Sequence, residues 1–131
     1  MAKYNKEYYE PLEQMMAIRH QYMSKILRDH TDQDIYNFFQ NKQVLDLGCG
    51  TGEFLNNYFE MGAQCTGIDI EKNFKLKNKK NFNLYNLDAN TFLKNCKKKF
   101  DIIFLFEFLE HLEKGDKHKL FESLIKILNK N

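Results

Sequence analysis

The sequence predicts an α/β fold, an open parallel sheet with helices packed against it. Short apolar runs alternate with helical patterns from residue 43 onward. Glycines occupy alternate positions straight after the first run, in VLDLGCGTG at residues 44–52. Acidic residues Asp46, Asp69 and Asp88 stand at or near the ends of three successive runs. Open α/β sheets bind ligands at that carboxyl edge.

Pro11 opens a helical pattern in which Leu12, Met15, Met16, Arg19, Tyr22, Met23, Ile26 and Leu27 recur at helical spacing. The stripe of methionine and tyrosine reads as core. Thr31, with Asp34 three positions on, offers a cap for a second short helix in DQDIYNFFQN. These two helices make an amino-terminal segment, residues 1–42, ahead of a core at 43–131, the whole forming one compact unit.

The first strand is expected over Gln43 to Leu47, and its helix from about Gly52 to Met61. Gly62 ends that helix with a left-handed cap. QCTGID at 64–69 is the second strand, followed by a lysine-rich helix from about Glu71. FNLYNL at 82–87 is the third strand, and a short helix follows from about Asn90. DIIFLF, from Asp101 to Phe106, is apolar nearly throughout, as a strand buried on both faces should be. A last helical stretch is expected to break at Gly115 and Asp116 and to restart in KHKLFESLIKIL. Alternation of strand and helix implies right-handed βαβ units.

Strand, glycine loop and helix in this order make a nucleotide or nucleoside site. Gly48, Gly50 and Gly52 allow a tight turn and a close approach to a ligand. A phosphate-gripping loop of the G-x-x-x-x-G-K-[ST] kind needs a lysine that is absent here. A dinucleotide fingerprint needs a third glycine where Glu53 stands, and a carboxylate there would face a pyrophosphate at the helix amino end. A cationic or zwitterionic nucleoside is the ligand left, with a ligand-free turn as the plain alternative.

Composition bounds the rest. The chain has 131 residues, 43% hydrophobic and 15% aromatic, enough for one small packed core. Its net charge of +2 implies no strong pull toward nucleic acid. Lysines cluster at 72, 75, 77, 79 and 80 and again at 94 and 97–99, where solvated faces explain them. Cys49, Cys65 and Cys96 lack metal spacing, so reduced thiols in the cytoplasm are expected. No apolar run is long enough to span a bilayer.

VLDLGCGTGEF resembles the first motif of class I S-adenosylmethionine-dependent methyltransferases. GAQCTGIDI at 62–70 resembles their second motif, Asp88–Ala89 their third, and FDIIFLFEFLEHL at 100–112 their fourth. The resemblance implies a Rossmann-like sheet of order 3-2-1-4, with Asp46, Gly48, Cys49, Gly50 and Phe106 around the cofactor. It gives Asp69 to the ribose diol, Ile70 to the adenine face, and Asp88 with Ala89 to the adenine amino group. PLEQMMAIR at 11–19 is similar to a segment of ubiquinone-biosynthesis O-methyltransferases, which gives Arg19 to the methionine carboxylate. Pro11, Leu12 and Arg19 match that segment, while Met16 and Ala17 depart from its asparagine and proline.

Glu107, Glu110 and His111 follow the E-x-x-E-H spacing. If a helix starts near Glu107, the three share one face and could hold Mg or another divalent cation. Glu110 and His111 are the catalytic candidates, deprotonating an acceptor hydroxyl. The activity implied is O-methylation of a small phenolic or quinone-precursor hydroxyl. The alternatives are a non-catalytic cofactor-binding fragment and a methyltransferase of small-RNA 2′-hydroxyl ends. The family has seven strands; strands 5–7 are expected to be absent here. Strand four would then be an apolar edge, open to a second copy or a separate carboxyl-terminal half.

Overall fold

The central strand owes its place to VLDL, which is buried throughout. In the computed structural model, residues 33–106 and 108–129 are described, with residues 21, 23, 25, 26 and 29 ahead of them. Those five positions are helical, in keeping with the expected first helix. Pro11, Arg19, Thr31 and Glu107 lie outside the described residues.

The elements run α1 (Ile35–Phe39), β1 (Gln43–Leu47), α2 (Glu53–Glu60), β2 (Gln64–Asp69), β3 (Phe82–Asn86), α3 (Ala89–Asn95), β4 (Ile102–Phe104) and α4 (Lys114–Ile127). A 3₁₀ turn over Leu109–His111 precedes α4. The strands pair in parallel in the order β3-β2-β1-β4, as expected. Val44 sits opposite Cys65 on one side and Ile102 on the other.

Side chains alternate across a strand, so β1 serves two cores. Val44 joins Ile35, Phe39, Phe54, Leu55, Tyr58 and Phe104 on the face covered by α1 and α2. Leu45 and Leu47 join Ile68, Leu93, Leu120, Leu124 and Ile127 on the face covered by α3 and α4. The first core is aromatic at its centre. Phe39 and Tyr58 have ring centroids 4.5 Å apart, and Tyr58 and Phe104 are 5.0 Å apart. Each such fully buried side chain contributes about 1.5–3 kcal/mol from lost apolar exposure.

Several elements differ from expectation. The cap of α1 is Asp34, whose carboxylate accepts the N–H of Asn37 at 2.8 Å. No helix follows β2. Residues 71–81 instead run as an irregular strap from Asp69 to β3. Phe74 and Leu76, two positions apart, both pack on the first core, which is the spacing of an extended chain and not of a helix. The Asn78 side chain accepts from Leu84 N–H at 2.8 Å and donates to its carbonyl at 3.3 Å. The strap thus satisfies backbone groups on the outer edge of β3.

β4 is three residues long, with Ile102 and Ile103 only half-buried, rather than six residues buried on both faces. Its approach is already paired on the outer side. Phe100 donates to Ile127 O at 2.8 Å and accepts from Asn129 N at 2.7 Å, forming a parallel bridge with Leu128. α4 runs unbroken through Gly115 and Asp116, which occupy its first turn. There an aspartate is favourable to the helix dipole, and a glycine costs least near an end that frays.

Asp101 ties the amino ends of β1 and β4 together. Its carboxylate accepts from Gln43 N–H and from the Asn129 amide, each at 2.8 Å. The Gln43 bond is the main cause that holds its pKa below the ordinary aspartate range. A depressed carboxylate stabilises the fold above its unfolded pKa, and the contribution is lost as pH falls through the folded value. Asp101→Asn should therefore have a lower urea midpoint than wild type at neutral pH, and the gap should narrow steadily as pH falls below the ordinary aspartate range. An equal gap at neutral and acid pH would count against this.

Candidate functional site

The turn after β1 is fastened to the end of β2. Gly48 and Cys49 both donate their N–H to the Ile68 carbonyl, at 2.8 and 3.0 Å. Gly50 N–H donates to one carboxylate oxygen of Asp69 at 2.8 Å, and Glu71 N–H to the other at 2.8 Å. Gly48, Gly50 and Gly52 have φ of 78°, 59° and 87°, a region that side chains disfavour. An ionised carboxylate has roughly four acceptor positions, so two hydrogen bonds leave Asp69 able to accept from a ligand diol. Burial raises the Asp69 pKa, the Glu71 and Gly50 N–H groups oppose that, and the Glu71 charge adds to the rise.

Asp46 is buried on β1, between Gly67 of β2 and Phe104 of β4. Its negative charge reaches several neighbours. Burial is the first cause pushing the Cys49 thiol well above its ordinary value, and Asp46 is the second. The same two causes push Cys65 up to about 12 and raise the Tyr58 phenol. Cys49 therefore lines the loop as a neutral thiol, not as a nucleophile.

Asp88 caps α3, accepting from the N–H of Thr91 at 3.3 Å. It is exposed, and Ala89 beside it is buried. Ile70 leaves 70% of its surface in solvent directly after Asp69. Phe106 is 39% exposed, with its ring against Phe54 at 5.3 Å. Asp46, Asp69 and Asp88 thus end three adjacent strands or their turns, with the glycine loop among them.

The expected metal face is not built as an α-helix. Leu109–His111 form a single 3₁₀ turn, and α4 begins only at Lys114. The backbone over Leu109–His111 therefore does not form the α-helical turn that the i, i+3, i+4 spacing requires. Glu107, the first member of the set, lies outside the described residues. Among the described residues no group of three His, Cys, Asp or Glu side chains could hold a metal ion.

Three contributors were not singled out from the sequence. Gly67 sits where the loop crosses β2; a Cβ there would lie 2.6 Å from Leu84 Cδ2 and 2.9 Å from Cys49 Sγ. A glycine inside a strand is the signal that marks such an approach. Asn86 donates to the carbonyls of Asp69 and Ile70, at 3.1 and 2.9 Å, and so fixes the turn that presents Ile70. Phe108 stands against Gly48 of the loop. No described helix is long and apolar enough to cross a membrane.

Known proteins share this arrangement. A family profile described as a methyltransferase domain matches residues 17–131. A ubiquinone biosynthesis O-methyltransferase from Pelagibacter ubique is 31% identical over 130 residues, covering 94% of this chain and 53% of the relative. A second protein of that name, from Colwellia psychrerythraea, is 28% identical and covered over 46% of its length. The chain thus spans about half the length of these curated relatives. A solved methyltransferase from Archaeoglobus fulgidus, described as SAM-dependent, is 30% identical with a TM-score of 0.57, covering 92% of this chain and 51% of that one. The magnesium protoporphyrin IX methyltransferase of Synechocystis, solved with bound SAM, has a TM-score of 0.66 at 16% identity. It shares the fold over 98% of this chain and 62% of its own.

The crossing at Gly67 generates a stability prediction. Gly67→Ala should lose about 1–3 kcal/mol through overpacking. Combined with Leu84→Ala, the loss should be smaller than the sum of the single variants, because the methyl then has room. Strict additivity in urea denaturation would show that the contact with Leu84 is not the cause.

Proposed function

This chain belongs to the methyltransferase domain family, and we propose that it transfers a methyl group from S-adenosylmethionine to an oxygen. The acceptor proposed is a small phenolic or quinone-precursor hydroxyl, the kind suggested by the names of its curated relatives. One observation carries the cofactor assignment. The Asp69 carboxylate holds the glycine loop by Gly50 and still has acceptor positions for a ribose diol, beside an exposed Ile70.

The remaining contacts follow from that placement. Ile70 packs on the adenine face, and Asp88 with Ala89 receives the adenine amino group. Gly48, Cys49 and Gly50 bring backbone close to the methionine part, whose carboxylate Arg19 binds. Phe106 completes the wall, and the buried charge of Asp46 favours a cationic ligand. S-adenosylmethionine supplies an electrophilic methyl on a positively charged sulfur. His111, assisted by Glu110, takes the acceptor's hydroxyl proton. The oxygen bonds to the methyl carbon as the carbon–sulfur bond breaks, and that electron pair leaves sulfur neutral. Positioning does most of the work in such an in-line displacement. No step is routed through a cation, since Leu109–His111 form a 3₁₀ turn and not the helix that such a set needs. The three free cysteines suit the cytoplasm as its setting.

Calorimetry with S-adenosylhomocysteine tests the cofactor half. Wild type should bind, and Asp69→Asn should weaken binding roughly tenfold to a hundredfold through loss of charge-assisted hydrogen bonds. Wild-type affinity should fall as acid enters the raised range of Asp69, because the protonated acid accepts less well, while the variant stays flat in that range. Absence of binding would sink the proposal. A methylation assay with a catechol-type acceptor tests the rest. His111→Ala should slow transfer about a hundredfold or more while leaving homocysteine-product binding intact. Tight binding with no transfer by wild type would leave a cofactor-binding unit and overturn the catalytic half.

A further inference from the structure

A recess of about 280 Å³ opens on the sheet face that carries α3, among residues that have no part in the glycine-loop site. Its floor is Thr66 of β2 and Asn83 of β3, which are register partners, with Tyr85 two positions further along β3. Phe92 of α3 forms an apolar wall, and Phe100 lies fully buried behind it, with the Lys98 ammonium 5.8 Å from its ring centroid. Lys97 and Lys98 stand at the rim, and no acidic side chain lines it.

The polar groups on this floor are unused. Thr66 is only 6% exposed, yet among the described residues its hydroxyl has no hydrogen-bond partner. The Asn83 amide has none either. The hydroxyl opens on the recess, so it and the Asn83 amide are available there to a ligand or to water. Flat apolar walls suit an aromatic ring, which prefers tilted or offset aromatic neighbours. Two lysines without an acidic neighbour in the recess suit an anion. The volume lies at the small end for ligand pockets, roughly 300–1,000 Å³, so a single ring with one acid group fills it.

We propose that this recess is a second binding site, for a monocyclic aromatic carboxylate. The ring lies against Tyr85 and Phe92, the carboxylate meets Lys97 and Lys98, and Thr66 with Asn83 bonds a polar ring substituent or the acid. The site stands apart from the proposed methyl transfer, and its occupancy needs no cofactor.

Benzoate is the probe, followed by amide chemical shifts of the ¹⁵N-labelled chain. Saturable shifts should concentrate at residues 66, 83, 85 and 96–98, with a dissociation constant on the order of 1 mM for so small a ligand. Lys97→Ala with Lys98→Ala should weaken it by about fivefold or more, as should replacing benzoate by neutral benzyl alcohol. Thr66→Val should weaken binding without lowering the melting temperature, because the lost hydroxyl had no partner. Benzoate should also slow iodoacetamide labelling of Cys96, the one thiol of the three that is not buried. No saturable shift by about 20 mM, an affinity unchanged in the double lysine variant, or shifts confined to residues 48–52 would each overturn the proposal. Inorganic phosphate binding as tightly as benzoate would do so too, since the ring would then contribute nothing.

Discussion

The ligand end of this protein depends on one attachment, the fastening of the loop after β1 to the end of β2. Two loop amides share the Ile68 carbonyl, and a third reaches the Asp69 carboxylate. A neutral hydrogen bond contributes about 1 kcal/mol net, and one to a charged group about 1.5–3 kcal/mol. Together they offset part of the cost of holding three glycines in one turn, which is high because glycine loses the most freedom on folding. Leu87 N–H donates to the Asp69 carbonyl at 3.1 Å, so the turn after β3 hangs on the same residue. Loop, acid and the approach to Asp88 are therefore positioned as one piece. Gly67 is the concession that lets the loop lie flat on β2.

Electrostatics at this end are set by what burial does to unlike groups. Asp46 is almost wholly out of water, and its charge adds to the burial that keeps Cys49 and Cys65 as thiols and Tyr58 as a phenol. The buried groups around Asp46 are thus neutral sulfur and aromatic carbon, while at the surface of the loop Lys75 lies 3.7 Å from Glu53. Such a setting is selective in sign: it favours a cation and disfavours a phosphate. That agrees with the glutamate at the start of α2, where a phosphate-binding loop would place its anion.

Where the sequence was legible, physical signals agreed with one another. β1 and β2 have the expected bounds: VLDL is a mostly apolar run that ends at the glycine loop, and QCTGID lies between the Gly62 turn and the acid that ends the strand. Gly62, with φ of 95°, ends α2 as its position suggested. The strap after β2 was misread because lysine is a good helix former, while the packing of only two apolar residues decided the outcome. α4 ignored its glycine since Leu120, Leu124 and Ile127 bury one continuous stripe downstream. The fourth motif was legible as a strand and turn, but not as a helix face, because α4 starts at Lys114 and, among the described residues before it, Leu109–His111 form a 3₁₀ turn. Asn86 and the Thr66 recess could not be read at all. Both depend on which residues of neighbouring strands come level, a fact of register that a single chain does not display.

The pairing of Phe100 with Leu128 has a consequence for how the chain comes together during synthesis. β1 and β2 are close in sequence and can associate early, but β4 must wait. It is short and half-buried, and it is held at its start by Ile127 and Asn129 as much as by β1. Until the ribosome has released those residues, Phe100 lacks its outer partner and Asp101 lacks one of its two donors. Domains fold as their segments emerge, so this sheet can close only after α4 has been made and has docked. The apolar face formed by Leu45, Leu47 and Ile68 has no cover from α4 during that interval.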